Sequence, residues 1–211
     1  MFEKANAVQE IPAGGRRAAR REATKAEILD AAWALVREHG LAALSLRDLA
    51  ARVGMRAPSL YQYFDSKHAI YDAMFHQGAQ QMLDVVTFDV DTDDRREVLV
   101  RRAHRFFSEA TADPARAQLL FQRTIPGFEP SPEAYAPAVE MINKLREGFA
   151  GLGITQPDAV DLWTVLTSGL VNQQLANDPG GDRYEPFVAV IVDMFLTHVA
   201  PDKRNAHTKG K

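Results

Sequence analysis

The chain has 211 residues, a 46% apolar share and a net charge of −3. That length and composition fit a globular protein of one or two small domains with a core of useful size. It contains no cysteine, which excludes disulfides, thiolate metal sites and cysteine catalysis and is consistent with a reducing compartment. No apolar run approaches a membrane span and the N-terminus has no apolar signal core, so the cytoplasm is the expected location and no membrane partner is expected. The charge is uneven. Residues 1–68 hold 11 Lys+Arg against 8 Asp+Glu, leaving 14 against 20 for the remainder. A basic end on an acidic body suits a protein that docks one end on a polyanion, although scattered solvated charge would look similar.

Residues 1–23 begin with an aperiodic piece containing Pro12, Gly14 and Gly15, expected to be mobile. Arg16, Arg17, Arg20 and Arg21 follow as a cationic arm able to track phosphates or enter a minor groove, as homeodomain arms do; the bland alternative is a solubilising tail. Thr24 with Glu27 reads as a capping box opening the first helix. Ile28, Ala31, Ala32, Leu35 and Val36 form its buried stripe, Gly40 ends it, and Trp33 falls off the stripe.

Ser45 to Val53 is a second amphipathic helix, with Leu46, Leu49, Ala50 and Val53 on one face and Ser45–Asp48 as its capping box. Gly54 makes the turn, and a third helix is expected from about Arg56 to Phe64 with Pro58 in its first turn. Leu60 and Phe64 can pack back, which leaves Arg56, Ala57, Pro58, Ser59, Gln62 and Tyr63 near a free face. Two short helices about a glycine turn fit a helix-turn-helix whose second helix reads DNA. By spacing alone, a plain helical bundle with a solvated face fits equally well.

Ser66 caps a long helix to about Val86. Val90–Arg95 is a polar break, and a helix from Arg96 to Thr111 carries Leu99, Ala103, Phe106 and Ala110 on one face. Asp113–Pro114 starts a short helix ending near Arg123. The proline-rich run 124–137 reads as a loop, usually a connection and sometimes a lid. The next helix carries Val139, Ile142 and Phe149 and ends around Gly151–Gly153. Thr155 with Asp158 is expected to cap a helix carrying Val160, Trp163, Leu166, Leu170 and Leu175. Asp182 with Glu185 is expected to cap the last, whose apolar stripe through Phe187, Val188, Ile191, Met194, Phe195 and Val199 is wider than one buried face requires. The tail from Pro201 is polar and expected to be disordered. The fold class is therefore all-α with about nine helices. No HExxH spacing, glycine-rich phosphate loop or GxSxG elbow is present, so neither an enzyme, a metal site nor a cofactor is expected.

The run Leu44–Met74, LSLRDLAARVGMRAPSLYQYFDSKHAIYDAM, resembles the DNA-binding domain of the TetR/AcrR family of bacterial regulators. The matches are Leu49–Ala50 with Val53–Gly54, Ser59–Leu60–Tyr61, Phe64, and Ser66–Lys67, and the likeness extends upstream to Thr24. The reading face departs from the pattern at Met55, Arg56 and Tyr63. The resemblance implies a flexible basic arm (1–23), a helix-turn-helix domain (24–67), and a ligand-binding and dimerisation domain (68–200), linked through the helix at 66–86, which transmits ligand binding. DNA contacts are then expected from Arg17, Arg20, Arg21, Thr24, Ser45, Arg47, Arg56, Ala57, Pro58, Ser59, Tyr61, Gln62, Tyr63 and Lys67. The function implied is a repressor that binds palindromic operator DNA as a homodimer and is released by an unidentified small-molecule effector. Family members dimerise through their last two helices, which points here to Ser168, Gly169, Phe187, Ile191, Met194 and Phe195. His104, Phe107, Phe121, Trp163 and Thr167 are the candidate effector contacts. The segment LWTVLTSGL also looks like a variant with a Trp–His–Gly signature, except that Ser168 stands at the histidine position. Two other classes remain: an all-α carrier or enzyme that has lost operator binding, and a sequence-blind DNA binder using only the arginines.

Overall fold

The computed structural model describes residues 13–87 and 91–200, with side chains described from residue 15 onward. The expectations for the first residues, for position 90 and for the tail from Pro201 lie outside the described residues. Among those described there are nine α-helices and no strand: α1 (Ala13–His39), α2 (Leu46–Arg52), α3 (Ala57–Leu60), α4 (Lys67–Val86), α5 (Arg95–Ala112), α6 (Pro114–Phe121), α7 (Pro132–Gly151), α8 (Ala159–Asn177) and α9 (Phe187–His198). The chain divides into two compact units, Met1–Ile70 and Tyr71–Lys211.

In the first unit α1 buries Ile28, Ala32, Leu35 and Val36 at helical spacing, and Leu49, Ala50, Leu60 and Phe64 complete the core. Ser45 caps α2 by accepting the Asp48 N–H (3.4 Å). The turn after α2 follows from one residue. Gly54 has φ +68°, its N–H donates to Ala51 O (3.1 Å), and Met55 N–H donates to Ala50 O (2.8 Å). These are the paired bonds of a Schellman ending, which need the left-handed conformation glycine adopts freely.

Three expectations for this unit are corrected. The helix does not start at Thr24; it starts at Ala13, and Thr24 lies inside it with its hydroxyl donating to Arg20 O (3.1 Å). The run RRAARREATKAE is made of good helix formers with no breaker, so propensity carries the helix past the cap signal. Arg16, Arg17, Arg20 and Arg21 accordingly lie within α1 rather than on an arm before the first helix. α3 spans only Ala57–Leu60, and the chain continues to Phe64 through tight turns (Gln62 N–H to Ser59 O, 3.2 Å; Tyr63 N–H to Leu60 O, 2.9 Å). Trp33, off the main stripe, is buried, with Arg37 over its ring at 5.6 Å.

In the second unit Phe149, Trp163 and Phe195 meet at ring distances of 5.1–5.6 Å and form the centre of the core. Val188, Val192 and Phe195 are the inward stripe of α9, continued by Val199 just past its end, and Leu99, Ala103, Phe107 and Ala110 are that of α5. Ser66 caps α4, Asp94 caps α5, and Asp113 with Pro114 opens α6.

The proline-rich loop is shorter than the sequence implies. α7 begins at Pro132, capped by Ser131, and Pro137 lies inside it. Pro137 has no N–H to donate to the carbonyl of Glu133 one turn earlier. His76 of α4 meets that carbonyl instead (Nδ1 to O, 3.3 Å). Asp72 accepts both the N–H (2.6 Å) and the hydroxyl (2.8 Å) of Ser131, Tyr71 packs on Phe128, and Phe75 stacks on Tyr135. One face of α4 thus supplies the partners that let a helix begin among prolines.

Two further helix starts differ. α8 begins at Ala159 rather than Thr155; Asp158 precedes it, and its carboxylate is engaged by His198 Nε2 (2.8 Å) rather than by the helix end. α9 begins at Phe187 rather than Asp182: the residues before it are held by three-residue turns (Glu185 N–H to Asp182 O, 3.0 Å; Phe187 N–H to Tyr184 O, 3.1 Å), and Pro186 has no N–H to give to an earlier carbonyl. The buried stripe of α8 runs through Ala159, Trp163, Thr167, Val171 and Gln174, not along the leucines. Gln174 is almost wholly buried. Its amide donates to the carbonyls of Asp178 and Gly181 (3.0 Å to the latter), and its Oε1 accepts the Tyr184 N–H (3.0 Å). It pins the connection between α8 and α9.

Replacing Gly54 by Ala should destabilise the first unit by about 1 kcal/mol through backbone strain, because no atom lies within 4 Å of the added Cβ. A thermal melt measures this, and an unchanged midpoint would remove the left-handed turn as a constraint. Gln174→Leu should cost the second unit about 1–3 kcal/mol by leaving buried backbone groups unpaired. The Arg183 N–H, followed by the Gln174 side chain, holds the Asp178 carboxyl below the usual carboxylate range. That stabilisation is present above about pH 4 and is lost on acidification, so Gln174→Leu should show a smaller acid-side loss than the parent.

Candidate nucleic-acid interface and ligand cavity

Packing of α2 against α3 consumes Leu49, Ala50, Leu60 and Phe64 and leaves a continuous polar rim. Arg47, Arg56, Pro58, Tyr61 and Gln62 are exposed, and Ala57, Ser59 and Tyr63 are half-buried beside them. Arg17, Arg20 and Arg21 are exposed on α1. Arg21 lies over the ring of Tyr63 with its guanidinium carbon 5.2 Å from the centroid. This contact joins the arginine-rich first turns of α1 to the turn following α3, so two features far apart in sequence belong to one surface.

Three expected DNA contacts have structural partners. The Ser45 hydroxyl caps α2, the Thr24 hydroxyl bonds back along α1, and Lys67 Nζ donates to Ala42 O (3.3 Å). Glu38 and Arg52 form a two-pronged pair (2.5 and 2.9 Å) between α1 and α2; hydrogen bonding from Arg52 holds the Glu38 carboxyl below its ordinary value. Arg52 is thereby committed to holding α1 and α2 together.

The second unit contains an apolar cavity of about 220 Å³. Among the expected effector residues, Phe121, Trp163 and Thr167 line it. His104 does not: it is half-exposed, with Nδ1 3.6 Å from Glu185. Phe107 does not either, because it belongs to the inward face of α5 with Ala103 and Ala110. Its neighbour Phe106 lines the cavity together with Leu99 and Arg102, one to two turns before it, and tilts against Phe121 at 5.7 Å. The helical register was offset by one residue in the sequence-based choice. Arg102, Phe106 and Phe149 were missed; the signal available was the i, i+3, i+7 spacing of Leu99, Arg102 and Phe106.

Among the expected dimer residues, Phe195 is wholly buried beside Phe149 and Trp163 and cannot meet a partner. Phe187 and Met194 are about half exposed (49% and 57%), joined by Val190 and, on α8, Val165. Gly169 is exposed, and Ser168 and Ile191 are half-buried. The width of the α9 stripe therefore resolves into two separate faces.

A compact unit of three helices with a glycine turn and an unconsumed cationic face defines a helix-turn-helix DNA-binding protein. Residues 28–74 match the family model described as bacterial regulatory proteins, tetR family. A helix-turn-helix-type transcriptional regulator of Mycobacterium tuberculosis is 27% identical over 183 residues, covering 80% of this chain and 76% of its own. The class A tetracycline repressor from transposon 1721 of Escherichia coli is 32% identical over 165 residues, covering 74% of this chain and 69% of its own. The structure of a TetR variant from Acinetobacter baumannii in complex with minocycline superposes with a TM-score of 0.55 at 22% identity, covering 82% of this chain and 94% of that one. The chain belongs to the TetR family of bacterial transcriptional regulators. Among its described residues no helix is long and apolar enough to cross a membrane.

Arg17 and Arg56 should separate by role. Arg17→Ala should weaken binding to all DNA sequences alike and lower the log–log salt slope by about one. Arg56→Ala should cost about 1–3 kcal/mol of preference for the operator. Fluorescence anisotropy at several salt concentrations reads both, and an unchanged slope for Arg17→Ala would take it out of the interface.

Proposed function

We propose that the protein is a one-component repressor that acts in the cytoplasm as a homodimer, binds an approximately palindromic operator, and is released by a small-molecule effector. It needs no cofactor beyond that effector and performs no catalysis. The observation that carries this reading is the coexistence of a cationic rim around α3 with an unused apolar stripe on α9 (Phe187, Val190, Met194). A two-fold pairing of α8 and α9 with a second copy covers that stripe and presents two α3 segments to successive major grooves, roughly 34–36 Å apart. Arg47, Arg56, Ala57, Pro58, Ser59, Gln62 and Tyr63 then face bases, with arginine on guanine the commonest such pairing. Thr24, Ser45, Tyr61 and Lys67, with the arginines of α1, hold phosphates.

The effector site is the cavity of the second unit, with Phe121, Trp163 and Thr167 in its wall. Ligand and operator act reciprocally: a ligand that favours the non-binding arrangement weakens DNA affinity, and DNA weakens ligand affinity by the same factor. The relative whose structure was solved with minocycline supports a small-molecule ligand for this fold. α4 begins in the first unit and ends in the second, and its continuous helix is the route by which the cavity influences α3.

Selection of bound fragments from the source genome at near-physiological salt should recover one short palindrome. Unrelated fragments would replace specific regulation with sequence-blind binding. In sedimentation the wild-type chain should be a dimer and the double variant Val190→Glu with Met194→Glu a monomer; a monomeric wild type at micromolar concentration would remove the two-fold model.

A further inference from the structure

The cavity wall carries the polar side chains of Arg102, Tyr135, Lys144, Thr164, Thr167 and Ser168, and three of these are engaged by the protein itself. Thr164 and Thr167 donate their hydroxyls to the carbonyls of Val160 and Trp163, both at 2.8 Å. Lys144 is held by Glu147 (2.9 Å) and Glu140 (3.6 Å). Of the two cations in the wall, Arg102 is the one without a counter-charge among the described residues. No hydrogen bond or ion pair to it is found among the described residues, and its Nε is closed off from solvent with no partner. Other arginines of α5 do find carboxylates: Arg96 pairs with Asp193 (2.6 Å), and Arg101 pairs with Glu97. Arg102 points the other way, into the wall shared with Leu99 and Phe106.

The guanidinium is also accommodated by the backbone opposite. Arg102 Nη1 lies 2.7 Å from where a Cβ on Gly148 of α7 would stand, so any side chain there would make the guanidinium end shift. A cation set against an apolar wall without a counter-charge is costly. Arginine cannot relieve the cost by losing its proton, as a lysine could. The missing half is an anion, and the planar fork of a guanidinium matches a carboxylate in two parallel hydrogen bonds. One uncompensated positive charge balances one negative charge, which favours a carboxylate over a phosphate dianion.

Resting on the reading of this cavity as the effector site, we infer that the effector is an amphiphilic monocarboxylate. Its carboxylate sits on Arg102, and its apolar aliphatic or aromatic body lies against Leu99, Phe106, Phe121 and Phe149. Arg102 is then the specificity-determining residue of the cavity, and Gly148 lets its guanidinium lie where it does without a shift.

Calorimetric titration of the full chain with octanoate and decanoate, each against the alcohol of the same length, tests this. The carboxylate should bind at least about tenfold more tightly than its alcohol, since a charge-assisted pair is added. Arg102→Met, which keeps the length and removes the charge, should abolish that preference while alcohols still bind. Gly148→Ala displaces the guanidinium by an independent route and should weaken carboxylates selectively. Equal affinity for acid and alcohol, or a preference that survives Arg102→Met, overturns the inference and leaves the cavity a neutral-ligand site. If neither class binds to a chain that still binds its operator, the reading of the cavity as the effector site fails together with it.

Discussion

Pro137 takes one backbone donor away from the first turns of α7, and much of the second unit is arranged around replacing it. His76 meets the stranded Glu133 carbonyl, and Asp72, on the same face of α4, holds both polar groups of Ser131. Tyr71 and Phe75 add ring contacts to Phe128 and Tyr135. These four residues occur at i, i+1, i+4 and i+5, the spacing that brings side chains to one helical face. The cavity depends on the same fastening, since Phe75 and Tyr135 form part of its wall. A wall fixed by directional hydrogen bonds keeps its shape better than one fixed by apolar contact alone, which has no angular preference.

The readable features of the sequence were those whose cause is local. Ser45, Ser66 and the Asp113–Pro114 pair cap helices because the cap hydrogen bond needs only three or four residues, and Gly54 turns the chain because one dihedral angle requires it. The misleading features carried valid local signals that a neighbour outweighed. Thr24 has the chemistry of a cap, yet the upstream run has enough helix propensity to absorb it. Asp182 and Glu185 have the spacing of a capping box, yet Pro186, which has no N–H to give, sits at the N-cap and α9 starts after it. Pro137 reads as a breaker, and only a histidine some sixty positions earlier makes it tolerable; no local window holds both.

The binding surfaces divide in the same way. Phe121, Trp163 and Thr167 were legible as cavity residues because large side chains at helical spacing announce an interior. Arg102 was not, since an arginine on a helix ordinarily belongs to the solvated face, and its orientation is visible only once Gly148 is seen opposite. The offset between Phe106 and Phe107 has a similar origin: adjacent aromatics on a helix point about 100° apart, and sequence does not say which of two apolar destinations each one takes. Gln174 shows the reverse effect. Nothing in its local sequence marks this polar side chain, yet it is buried and bonded to several backbone groups.

The two faces of α9 share no residue. Val188, Val192 and Phe195, continued by Val199 just past the helix end, point into the core, while Phe187, Val190 and Met194 point out. Mutational drift on the outer face is therefore uncoupled from folding. On the proposed two-fold pairing, a duplicated copy of such a gene could change its outward side chains until the two products no longer recognised each other, while each kept an intact interior. Insulation between sister regulators in one cell, which would otherwise mix subunits and blur their responses, is then reachable in small steps, none of which passes through an unfolded intermediate.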